Sequence, residues 1–148
     1  MKRTVFLAAF SIIFFYAQNT FAQVVNVPNK SEKHLAEKYP DAKKVNWSNN
    51  VKNYTAKFEL NDEKCKAYYN IDGSWDFTEK ELDYSKFPEA VATSFKNSRF
   101  SDWKTESTAF VENNRNQELY RVEVKKGLEK KFIFFDKDGK EIKTNATL

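Results

Sequence analysis

His34 and Cys65 are the only histidine and the only cysteine in the 148 residues, so they bound the covalent chemistry this chain can attempt. A Ser-His or Cys-His nucleophile would have to recruit His34. No glycine-flanked serine of the nucleophile-elbow kind accompanies it, and His34 is expected at a solvent-facing or helix-end position. Structural zinc takes several thiolate or imidazole ligands, and one of each does not suffice. Three scattered glycines, Gly73, Gly127 and Gly139, cannot form a loop that cradles phosphate. "DKDGKE" at 136–141 resembles the first half of a calcium loop, but the Glu that such a loop needs at its twelfth position does not follow. Paired carboxylates carry no short motif, and Glu79, Glu81 and Asp83 in "TEKELD" are expected in a solvated connection. The expectation is a protein that is not an enzyme, with no catalytic residue, metal or cofactor.

What remains is binding, and the ends of the chain say where. Lys2 and Arg3, the apolar run Val5 to Ala17, and small Thr20 and Ala22 flanking Phe21 are the three parts of a secretory leader cut near Ala22. The run is shorter than the roughly 20 residues that span a bilayer, so residues 1–22 are expected to leave without anchoring the protein. The remaining 126 residues, 23–148, suit one domain, exported to the periplasm. Removing the leader lowers the net charge from +4 to +2, with 23 basic against 21 acidic residues. Nucleic-acid binding needs basic residues massed on one face; the alternating signs here exclude it. Cys65 cannot close an internal disulfide; in "EKCKAYY" it is expected as a small strand residue, with an intermolecular bridge as the alternative.

Candidate side chains must be positioned by elements, and these recur. Pro28 and Pro88 each open a helical pattern, with Leu35 and Tyr39 four apart in the first and Val91 and Phe95 four apart in the second. Asn29 and Glu32 have capping-box spacing. "YTAKFEL" and "YRVEVKK" alternate apolar and polar residues, the pattern of antiparallel strands with one buried side. They lie 66 positions apart, as do the Asp-Gly pairs at 72–73 and 138–139. The fold class is therefore α+β. Two tandem units, about 29–80 and 85–144, each a helix followed by an antiparallel meander, are expected to form one pseudo-symmetric domain.

An Asp-Gly pair suits a two-residue hairpin loop of type I′, with positive φ at both residues. Such a loop at Asp72-Gly73 puts Asn70 opposite Trp75 and Tyr68 opposite Phe77. Tyr68, Trp75 and Phe77 then share one side of the sheet, away from Ala67, Tyr69 and Ile71. In the second unit the same reasoning groups Ile133, Phe135 and Ile142, leaving Phe132 and Phe134 on the other side. One side suits a core under the helices. The other is still rich in rings, which bury much area at little entropic cost when they anchor a partner. Tyr68, Trp75, Phe77, Phe132 and Phe134 are the candidate partner-binding residues.

The order "EKYPDAKKVNW", "YTAKFEL", "AYYNIDGSWDFTE", "FPEAVATSF", "YRVEVKKG", "FIFFDKDGKE" over residues 31–143 resembles the PepSY-like family, small exported bacterial proteins similar to β-lactamase inhibitor proteins. The resemblance implies a β-lactamase-inhibitor-like fold, periplasmic residence and no catalysis. It also implies an aromatic sheet face that grips a protein partner. The chain departs from the true inhibitors in lacking the cysteines for their disulfides, so no β-lactamase target carries over. The alternative function is a periplasmic carrier, with aromatics lining a ligand cavity between the units.

Overall fold

A computed structural model describes residues 25–143; the expected leader lies outside the described residues. Helix α1 (Asn29–Lys38) is followed by strands β1 (Lys43–Asn49), β2 (Asn53–Leu60), β3 (Glu63–Asn70) and β4 (Trp75–Glu81). A single 3-10 turn over Tyr84–Lys86 leads into α2 (Glu89–Lys96), and β5 (Lys104–Asn113), β6 (Glu118–Lys126), β7 (Glu129–Phe135) and β8 (Glu141–Ile142) complete the order. The eight strands form one sheet in sequence order, each antiparallel to the next. That is an α+β fold, with two helices on an eight-stranded antiparallel sheet.

The helices sit where the prolines start them. Pro28 and Pro88 occupy the N-cap positions. Asn29 is the first helical residue and caps nothing, so its spacing to Glu32 does not act as a capping box. Leu35 of α1 packs on Ala56, Phe58, Cys65, Ala67 and Tyr69 of β2 and β3. Val91 and Phe95 of α2 pack on Val122, Val124, Ile133 and Phe135 of β6 and β7. Each fully buried Val, Leu or Phe stabilises the fold by roughly 1.5–3 kcal/mol relative to exposure. Cys65 is 3 % exposed and burial pushes its thiol pKa up, so it is a strand residue of the core and is not presented to an intermolecular bridge.

The turns correct the expected register. The type I′ loop is at Asn61-Asp62, where both φ angles are positive (51° and 62°) and Leu60 pairs with Glu63. The Asp-Gly hairpins have three-residue loops instead. Asn70 N–H donates to the Ser74 carbonyl and Gly73 N–H to the Asn70 carbonyl. Asp136 bonds Lys140, and Gly139 bonds Asp136, in the same way. Only the glycine has positive φ, +81° in each, which is a tight turn closed by a left-handed residue. The hairpin at Asn113–Gln117 repeats the geometry with Asn116 in the glycine's place, at φ 57°.

One extra loop residue slips the pairing by one and turns side chains to the opposite face. Trp75 therefore pairs with Tyr69, not Asn70, and lies on the helix side. A bulge then restores the expected pairing of Tyr68 with Phe77. The second hairpin has no such bulge. Ile142 pairs with Phe134 and joins it on the side away from the helices, not the side of Ile133 and Phe135.

The glycines also explain why the turn is spelled twice. A Cβ on Gly73 would lie 2.9 Å from Pro28 Cβ and 3.3 Å from Ser31 Oγ; on Gly139 it would lie 2.5 Å from the Ala90 carbonyl oxygen. Each Asp-Gly hairpin is seated against the start of a helix, and Ser31 Oγ donates to the Gly73 carbonyl at 3.2 Å.

Candidate binding face

Both helices cover the same side of the sheet. On the other side Phe77, Val111, Leu119 and Phe134 form a buried cluster with Tyr68 and Ile142 against it, and all six come from strands. Tyr68 stacks on Phe77 with ring centroids 4.3 Å apart. Alternation puts Phe132 on this face too, because it pairs with Glu123 beside the Phe134–Arg121 pair.

The expected five-residue set is thus divided. Tyr68, Phe77, Phe132 and Phe134 share the face, while Trp75 belongs to the helix side, stacked on His34 at 5.2 Å. Exposure divides the four again. Phe134 and Phe77 are buried at 3 % and 6 %, Tyr68 is half-buried, and Phe132 is 42 % exposed. Phe77 and Phe134 hold the face together; Phe132 and the rim of Tyr68 are what it presents.

At the centre of the face is an ionic network that residue spacing did not reveal. Arg121 Nε lies 2.9 Å from Glu79 Oε1, an ion pair without the alignment of a good hydrogen bond, and Arg121 Nη1 lies 3.5 Å from Glu123 Oε2. Lys130 Nζ reaches Glu123 Oε1 at 2.6 Å and Ser107 Oγ donates to Glu123 Oε2 at 2.5 Å. The Arg121 guanidinium carbon lies 5.1 Å from the centre of the Phe132 ring, a cation–π contact. Glu79 is therefore not in a solvated connection. It belongs to β4 and is buried, because β4 extends to Glu81 and pairs with β5. A signal was available: Glu79 alternates with Phe77, and Arg121 with Leu119 and Glu123.

Burial acts on Glu123 to raise its carboxyl pKa, but Lys130, Ser107 and Arg121 outweigh it and hold the group below the usual carboxylate range. Burial, aided by the Glu79 charge, pushes the Tyr68 hydroxyl up to about 12. His34 is also not free in solvent. It is half-buried, its Nδ1 lies 3.1 Å from the Tyr69 hydroxyl, and burial together with nearby Lys38 lowers its pKa. Among the described residues no group of three or more His, Cys, Asp and Glu is placed to hold a metal ion. One cleft opens at Asn49–Asn53 and another lies between Tyr84, Phe95 and Thr105. Neither separates the first helix-and-strand run from the second.

Two helices on one side of an eight-stranded antiparallel sheet agree with the α+β fold of the β-lactamase-inhibitor-like proteins. Residues 52–143 match the family described as "Putative beta-lactamase-inhibitor-like, PepSY-like", and the chain belongs to that family. The matched span begins after α1 and β1, so the Tyr39-Pro40 helix end and Trp47 lie before it. Among solved structures, the chain is similar to a BLIP-like protein from Bacteroides fragilis. That match has 22 % identity and TM-score 0.68, covering 82 % of this chain and 86 % of the other. It is also similar to a protein from Bacteroides eggerthii described as "putative periplasmic", with 24 % identity, TM-score 0.68 and coverage of 80 % and 88 %. No curated protein sequence matches the chain. Among the described residues no helix is long and apolar enough to cross a membrane.

Proposed function

We propose that this is a non-enzymatic, exported binding protein of inhibitor-like type, acting in the periplasm and contacting a protein partner through the helix-free face of its sheet. The carrying observation is the exposed Phe132 ring, fixed over Arg121 at the edge of a buried aromatic cluster. A ring held by its neighbours loses little further freedom when a partner covers it. The half-buried Tyr68 adds a second aromatic contact on the same face, and the Glu79–Arg121–Glu123 network adds directional charge between them. Charge so placed contributes to choice of partner more than to raw affinity. The two helix-plus-four-strand runs are read as copies of one unit, and the shared face runs across their junction at β4 and β5. Family and fold support export and binding; they name no target.

The test places a photo-crosslinking aromatic residue at position 132, and separately at Lys33 on the exposed side of α1, in protein exposed to a native envelope extract. A discrete protein adduct from position 132 alone is expected. Absence of any adduct, or the same adduct from position 33, overturns the reading.

A further inference from the structure

We propose that the outer edge of β7, from Glu129 to Ile133, is a strand-docking site for an extended acidic segment of a partner protein. This goes beyond the binding face: it concerns backbone pairing at the sheet's edge, with Phe132 common to both.

β7 pairs with β6 along its whole length, from Lys126↔Glu129 to Tyr120↔Phe135. β8 pairs with it only at Phe134↔Ile142 and Phe135↔Glu141. The two-residue loop Gly127-Leu128 makes Lys126 and Glu129 a hydrogen-bonded pair, and alternate residues of an antiparallel strand address opposite neighbours. Lys131 and Ile133 therefore turn their N–H and C=O groups toward β6, and Lys130 and Phe132 turn theirs outward. Among the described residues nothing pairs with those four outward groups. Paired edges satisfy such groups, and open ones template another strand.

The other edge of the sheet is blunted. β1 carries a register shift between Lys43 and Asn46, and Lys44 has positive φ of 53°. A bulge of this kind discourages strand addition. The β7 edge has no bulge against β6, and it carries the exposed Phe132.

Charge selects the occupant. Lys104, Lys125 and Lys130 are direct cross-strand neighbours on β5, β6 and β7, a row of three like charges on the helix-free face. Lys104 and Lys130 each contact a glutamate at 2.6 Å; Lys125 has no ion-pair partner among the described residues. The next strand outward places a residue beside Lys130, where a carboxylate is favoured and a like charge disfavoured. Two residues further along, Phe132 favours an apolar neighbour. A second copy of this chain, paired antiparallel about Lys131, would set Lys131 against Lys131. The chain's own residues 144–148, Thr-Asn-Ala-Thr-Leu, offer no acidic side chain to the row.

The test titrates the protein with a fluorescein-labelled ten-residue peptide alternating Glu with Val and Phe, and with its counterpart carrying Lys for Glu. Amide hydrogen exchange is followed by NMR. The acidic peptide is expected to bind at least tenfold tighter and to protect the amides of Lys130 and Phe132. Lys125→Glu and, independently, Lys130→Glu should remove that preference, and Lys43→Glu on the β1 edge should leave it intact. The inference is overturned by equal or absent binding of the two peptides, or by protection confined to other strands. It is equally overturned if both amides are already protected in the free monomer, which would assign the edge to residues 144–148, or if sedimentation shows a dimer paired there. Loss of peptide binding with crosslinks from position 132 retained would remove this inference and leave the binding face standing.

Discussion

At the scale of single residues, glycine does two different jobs. Gly127 turns in open space, with nothing within 4 Å of a built Cβ, so Gly127→Ala meets only the backbone cost of a positive φ, about 1–2 kcal/mol. Gly139 has positive φ and also sits on the Ala90 carbonyl oxygen, 2.5 Å from a built Cβ. Gly139→Ala adds an overpacking cost of roughly 1–3 kcal/mol. Urea midpoints should rank wild type, then Gly127→Ala, then Gly139→Ala; equal midpoints for the two variants would contradict the docking of the turn on α2. Arg121 supplies a second test. Replacing it with Met leaves the buried Glu79 carboxylate without its partner, a loss expected near 3–5 kcal/mol, most of which the double substitution with Glu79→Leu should recover. The Asp-Gly turns were legible because Asp and Gly have few other reasons to adjoin between alternating runs. Loop length was not legible. Both two- and three-residue hairpins accept Asp-Gly, and the choice depends on how the turn meets the helix, a contact distant in sequence.

At the scale of elements, periodicity revealed the two helices and most strands, since burial of one side imposes it. It did not reveal where β4 ends, because Glu79 and Lys80 look solvated until β6, two strands away, supplies Arg121. His34 misled for a similar reason. It is a polar residue on a short helix, and Tyr69 together with Trp75, displaced to the helix side by the three-residue loop, makes it part of the packing. That placement has a pH consequence. Burial and Lys38 lower the folded-state pKa of His34, opposed by Glu37 and Glu112. A depressed histidine favours the neutral, folded form, so its contribution is complete above the unfolded value of about 6.5. It is lost as pH falls toward the folded value. The urea midpoint should fall between pH 7 and pH 5, and His34→Gln should flatten that fall. Glu123, Asp72 and Asp83 have lowered pKa values and lose their stabilisation below the usual carboxylate range, outside this window. An unchanged slope in His34→Gln would mean that the imidazole does not sense the fold.

At the scale of the whole molecule, the element order is that of two small units, yet the sheet does not break between them. β4 and β5 pair over five residues, from Phe77↔Asn113 to Glu81↔Ala109. The buried cluster away from the helices draws on both sides of that seam, Phe77 from one and Val111, Leu119 and Phe134 from the other. Lys38 of α1 reaches Glu112 of β5 at 2.7 Å, adding a part-exposed tie across it. Two autonomous units would each bury a core under one helix and unfold separately; a shared core makes unfolding a single event. Tryptophans report on each side, Trp47 and Trp75 before the seam and Trp103 after it. Variants keeping only Trp75 or only Trp103 should therefore give the same urea midpoint. Val111→Ala, which removes a buried contact 3 % exposed at the seam, should lower both midpoints by the same amount. The ion pair cannot substitute for the cluster, because a part-exposed Lys–Glu contact is worth about 1 kcal/mol or less, so Lys38→Ala should keep the two reporters coincident. Midpoints that separate in Val111→Ala but coincide in wild type would locate the coupling at that residue. Separation already in wild type would mean that the helix-free cluster does not join the halves, and the face assigned to partner binding would then be two surfaces.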